Sequence, residues 1–195
     1  MQTLTGKRWL VAFALLSIGG VAHAHTNGLP HMDFAVGLSH PFSGLDHILA
    51  MVAVGLWAAQ LGGRALWLVP LTFVLTMAAG GALGFMGMPL PHVELGIAGS
   101  VLVLGGLVAC SSRLPLAASM GLVGVFAIFH GYAHGAEMAA EASAVWYSLG
   151  FMLATAILHS IGIGAELAAG CGVPARLVRF SGAAIAASGL VMLTV

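Results

Sequence analysis

The chain has 195 residues, of which 60% are hydrophobic and only 6% charged, and its mean hydropathy is +1.06. A soluble domain carries about 25% charged residues, so composition excludes a water-exposed globule and predicts an integral membrane protein. The acidic and basic residues cancel, which excludes the basic surface that nucleic acid requires, while 9 histidines outnumber either charged set and point to metal or proton chemistry.

The first segment reads as a processing signal. Lys7 and Arg8 precede the short apolar run WLVAFALLSIGGV, and Ala22-His23-Ala24 is a small-x-small cleavage sequence, so residues 1–24 are expected to be a secretory signal peptide. The alternative is an uncleaved first membrane helix. Cleavage makes His25 the mature N-terminus, outside a bacterial inner membrane, where its α-amine and imidazole can both bind metal. His31 and Asp33 follow in HTNGLPHMDF, a stretch that is either an ion-collecting segment or a plain linker.

Six apolar segments follow, over residues 42–61, 65–86, 92–110, 115–135, 143–165 and 177–195. Each approaches the roughly 20 residues that a span requires, and the connections are short and rich in turn residues. The predicted fold is an all-α integral membrane protein, a single domain over 25–195 that forms a six-transmembrane-helix bundle after removal of the signal peptide. No strand is predicted. With the mature N-terminus outside, Arg64, Arg113, Arg176 and Arg179 all fall on cytoplasmic loops, as the positive-inside rule requires. Cys110 and Cys171 map to the same reducing side and are expected to be free thiols. Small residues such as Gly96-x-x-x-Ser100 read as close helix packing. Three spans per half permit an inverted repeat, but both major polar motifs lie near the outer face, against that symmetry.

The polar residues within the spans carry the functional signal, because an aspartate at a helix centre costs about 2.5–3.5 kcal/mol on insertion scales and such groups face a bundle interior. The first span opens with HPFSGLDHILAM. His40 and His47 are seven apart and share a helical face, Met51 extends that face by one turn, and Asp46 lies about 100° round the helix. The pattern offers two imidazoles, a carboxylate and a thioether to one quadrant. The plainer reading is an aspartate that orients histidines inside a packed bundle.

The third span begins with His92 and Glu94, either a metal-binding or a solvated pair. The fourth ends in FHGYAHGAEM, which sets His130, His134 and Glu137 on one face at i, i+4 and i+7. Gly131 follows the first histidine where a zincin carries glutamate, so this is not a zincin motif. In the fifth span His159 lies deeper, about two-thirds of the way to the cytoplasm, as a hydrogen-bonded core residue or part of an exit route, and Glu166 is expected to be solvated near the inner surface. Imidazole and carboxylate without thiolate suit Ni²⁺, Co²⁺, Zn²⁺ or Fe²⁺ better than Cu⁺.

These motifs together resemble the HupE/UreJ family of nickel/cobalt permeases, over the whole chain: a signal peptide, a histidine near the mature N-terminus, HPFSGLDHILAMVAVG, FHGYAHGAE and a late LHSIG. The resemblance implies uptake of Ni²⁺ or Co²⁺ across the inner membrane for hydrogenase or urease and their maturation proteins. It places the first motif on His40, Asp46 and His47 and the second on His130, His134 and Glu137. The larger nickel/cobalt transporter family has a similar motif one residue shorter, so its geometry is not carried over.

The expected protein is a transporter and not an enzyme, with no tightly bound cofactor, lipid around it and room for a homo-oligomer. No ATP-binding motif is present, so transport would be driven by membrane potential or coupled to protons. The competing reading is an intramembrane zinc-dependent hydrolase that uses the same histidines and acids.

Overall fold

The computed structural model describes residues 30–138, 142–169 and 174–194. The expected signal peptide, His25 and Cys171 lie outside the described residues. Among the described residues every element is helical and none is a strand: α1 (Pro30–Ser39), a 3-10 turn (His40–Phe42), α2 (Leu45–Leu61), α3 (Ala65–Phe85), α4 (Val93–Ala109), α5 (Leu116–Ala136), α6 (Ala144–Ala169) and α7 (Ala175–Met192). Local sequence sets the boundaries. Pro115 and Pro174 stand immediately before α5 and α7, where a missing N–H breaks no helical bond. Gly62, at φ +70°, ends α2 in a conformation that side chains disfavour.

The start of the expected first span differs from its sequence reading. Residues 30–39 form a helix packed on α6, where a linker was one expectation. The chain then bends by 80° between the 3-10 turn and α2, through an extended Gly44. Asp33 is buried, and its Oδ2 accepts a hydrogen bond from the Ser143 amide at 2.9 Å. That amide precedes α6, whose N-terminal pole favours negative charge, so Asp33 fastens α1 to α6.

Among the described residues four helices are long and apolar enough to cross a membrane: α3, α5, α6 and α7. Counting the bent pair that ends in α2 as one span gives a fifth. Helices α2 and α4 have 17 residues each, about 26 Å at 1.5 Å per residue, against a hydrocarbon thickness of about 30 Å. The expected count of six is therefore not reached on length and composition. The shortfall arises where the 3-10 turn and Gly44 consume the first turn of one segment and where His92, in a left-handed conformation, delays the start of α4. Large apolar side chains such as Trp67, Leu75, Leu153, Ile161 and Phe180 point outward, a surface that suits lipid and not water.

Helix α2 runs through the middle, in contact with α3, α4, α6 and α7. Its residues from Met51 to Ala58 are buried except Val52, which explains an apolar character all round the helix. It packs along α6 with both chains running the same way: His47 meets Thr155, Gly55 meets His159 and Gly162, and Gln60 meets Glu166. Helices α3 and α5 are likewise parallel, with Met77 against Gly131 and Gly81 against Gly135. Helices α4 and α7 are antiparallel. Alternating crossings of one bundle produce these directions.

Candidate metal centre

The 80° bend carries His40 over the end of α2 and towards the end of α5. His40 Nε2 lies 3.0 Å from His134 Nδ1. Glu137, which caps α5, places Oε2 at 3.4 Å from His40 Nε2 and 3.6 Å from His134 Nδ1. One turn deeper, the ring centroids of His47 and His134 are 5.0 Å apart and those of His47 and His130 are 5.4 Å apart. Two groups result, His40–His134–Glu137 and His47–His130–His134, and within each the ligand atoms lie within 4.8 Å of one another. His134 belongs to both. The outer group is partly exposed and the inner one mostly buried.

The buried imidazoles are held by two hydroxyls that sequence reasoning missed. Ser100 Oγ donates to the Ile97 carbonyl at 2.6 Å and lies 2.8 Å from His130 Nε2. Its one proton is committed to the carbonyl, so it accepts from His130 Nε2–H. Thr155 Oγ1 lies 3.3 Å from His47 Nε2 and 3.7 Å from Met77 Sδ. Each hydroxyl thus holds one imidazole at its Nε2. In each the buried Nδ1 is left with no hydrogen-bond partner and is available to a metal, with the other nitrogen anchored as metal-ligating histidines require. Ser100 was legible only as a small packing residue, and Thr155 stands one turn before His159.

Phe151 closes one wall, 4.6 Å from the His134 ring and 5.0 Å from that of His47. An apolar cavity of about 560 Å³ opens beside His134, lined by Met77, Met138, Tyr147 and Met152 among others. The imidazoles of His134 and His40 beside it hold the Glu137 carboxyl well below the usual carboxylate range, against the opposing effect of its partial burial. A carboxyl whose folded value is depressed contributes stability above the ordinary value of about 4.3 and loses it only as pH falls through the lowered one. Glu137 thus keeps its charge throughout the physiological range. The effect of Glu137→Gln on metal binding is accordingly expected to be the same at pH 6 and pH 8, as equilibrium titration would show. A defect present at pH 8 and absent at pH 6 would mean that Glu137 titrates between them.

The other residues named from sequence sit elsewhere. Asp46 is half-buried in the first turn of α2, where its carboxylate turns back over Gly44 and favours the helix N-terminus; it belongs to neither group. Met51 is wholly buried in the apolar core. His31 is exposed on α1, and His92 and Glu94 are exposed at the start of α4, outside both groups. His159 is 2% exposed and lies edge-on to Phe73 at 5.4 Å, and neither ring nitrogen has a hydrogen-bond partner. Cys110 is a free, exposed thiol.

Fold and site together define a multi-pass helical membrane protein with an imidazole–carboxylate cluster set into one end of its bundle. The chain belongs to the HupE/UreJ family, whose model, described as HupE / UreJ protein, matches residues 12–192. It is 48% identical over 181 residues to Protein HupE of Rhizobium leguminosarum bv. viciae, an alignment that covers 92% of this chain and 94% of that protein. No solved structure matches it.

Proposed function

We propose that the chain takes up Ni²⁺ or Co²⁺ across the bacterial inner membrane, with the cluster open to the periplasm and without ATP hydrolysis of its own. The observation that carries this reading is the sharing of His134 between two overlapping ligand groups, one partly exposed and one buried. An ion taken by His40, His134 and Glu137 can pass to His47 and His130 without leaving His134, so lost hydration is replaced stepwise by fixed ligands. A conducting site must bind firmly enough to admit an ion and weakly enough to release it, and a relay of partial sites meets both demands. His25 and His31 would collect the ion outside, Asp46, His92 and Glu94 would add negative or ligating groups around the mouth, and Met51 and His159 would line the way inward. A divalent cation entering a negative interior gains about 4.6 kcal/mol per 100 mV, enough for accumulation without proton coupling.

This reading includes six spans, an outward mature N-terminus after cleavage at Ala24, and cytoplasmic arginines. Supply of hydrogenase or urease follows from the family resemblance. No observation favours the zinc-hydrolase reading over this one.

Uptake of ⁶³Ni²⁺ or Co²⁺ by cells that express the wild type, compared with cells that express His47→Ala at equal membrane levels, tests it. Saturable uptake is expected for the wild type and a loss of at least about 10-fold for the variant. Uptake absent from the wild type, or unaltered by the substitution, would sink the proposal.

A further inference from the structure

The seam between α2 and α6 does not end at the cluster. Because the two helices run in the same direction, it continues to the opposite end of the bundle, and its last crossing is also polar. There Gln60 Nε2 donates to Glu166 Oε2 at 3.3 Å and to the Val108 carbonyl at 3.3 Å. Gln60 Oε1 is buried and takes no hydrogen bond. An amide oxygen left this way is costly, so the arrangement invites a partner that none of these side chains supplies.

Three helices end together at this point. Gln60 lies in the last turn of α2, Val108 in the last turn of α4, and Glu166 in the last turn of α6. The C-terminal pole of a helix is negative and favours cations. Three such poles and a carboxylate converge on one buried amide. One cation is already nearby, since Arg179 donates to the Ala109 carbonyl at 2.9 Å, which moderates the attraction for a second.

A half-turn about the terminal bond of Gln60 exchanges the NH₂ and the oxygen at nearly constant volume. The NH₂ now separates the carboxylate from the carbonyl by donating to both. After the half-turn, Oε1 joins Glu166 and Val108 in an all-oxygen set that only a cation can hold together. We propose that Gln60, Glu166 and the Val108 carbonyl form a second binding site for a divalent cation, from which the ion leaves at the far end of the seam.

The spacing suits a relay. Helical rise puts His159 about 6 Å beyond Thr155 and Glu166 about 10 Å beyond His159, and the contact of Gly55 with His159 lies on the same seam. Oxygen donors hold Ni²⁺ and Co²⁺ less firmly than imidazoles do, so the ion meets weaker ligands as it advances. This inference rests on the transport reading for its direction, but the site itself stands on the hydrogen bonds and the unpartnered oxygen.

Equilibrium binding of Ni²⁺ to the purified full chain, together with ⁶³Ni²⁺ uptake into proteoliposomes, tests the site on wild type, Gln60→Leu, Glu166→Gln and Glu166→Asp. The wild type is expected to bind a second ion more weakly than the first. Glu166→Gln and Gln60→Leu should lose the weaker binding, keep the tighter one, and take up Ni²⁺ about 10-fold more slowly. Retention of the tighter binding certifies that these variants fold, and Glu166→Asp should retain the weaker site. Weaker binding that survives in both Glu166→Gln and Gln60→Leu overturns the proposal. A wild type that binds ions but never transports them would instead overturn the transport reading, and the binding arm would still decide this site.

Discussion

Replacement of His134 by alanine is expected to lower the initial rate of Ni²⁺ uptake by at least about 100-fold, more than replacement of His40 or Glu137. The reason is geometric. Loss of His40 or Glu137 removes a ligand from the outer group, and loss of His47 or His130 removes one from the inner group. Loss of His134 leaves both with two ligands and also removes the only imidazole common to them. Residues that act as a unit have non-additive effects, so His40→Ala added to His134→Ala should slow uptake no further. The variants should be compared at matched protein levels, with rates measured below saturation. Equal defects in His40→Ala and His134→Ala, or full additivity of the pair, would mean that the two groups do not share an ion.

The ingredients of this cluster were legible because intramembrane histidines and acids are expensive and therefore sparse. HPFSGLDH and FHGYAHGAE are far apart in sequence, yet the four helices traversed from the start of α2 to the end of α5 return the chain to the same side, and His40 does meet His134 and Glu137. What the sequence concealed follows from the same apolar character. A helix such as α2, apolar on every side, has no periodicity from which to read which face meets which neighbour, so the partners Ser100 and Thr155 could not be assigned.

Asp46 was grouped with His47 by adjacency, but a step of about 100° is enough to turn it towards the helix N-terminus and out of both groups. The helix over residues 30–39 was hidden because ten residues with a histidine, an aspartate, a glycine and a proline resemble a linker until Gly37 and Gly150 allow the chain to lie directly on α6. Glu166 looked like a solvated residue near the surface, and only the parallel course of α2 and α6 brings Gln60 to it.

That parallel course depends on glycine. A Cβ on Gly162 would meet the carbonyl oxygen of Val52 and the amide of Leu56, and a Cβ on Gly55 would meet the carbonyl of His159. These are backbone atoms and cannot rotate away, so even alanine forces the helices apart. Gly162→Ala is expected to destabilise the folded chain by about 1–3 kcal/mol, the usual cost of overpacking a core, and to lower the unfolding midpoint of the detergent-solubilised protein.

It should also slow Ni²⁺ uptake although residue 162 carries no ligand, because the same seam holds His47 to Thr155 at one end and Gln60 to Glu166 at the other. Gly164, two residues along the same helix, supplies the control. Nothing lies within 4 Å of a Cβ placed there, and the residue is exposed. Gly164→Ala should therefore stabilise the helix by about 0.4–1 kcal/mol and leave uptake unchanged. If the two alanine variants unfolded at the same temperature and transported at the same rate, close contact between α2 and α6 would not be what sets the register of the two polar crossings.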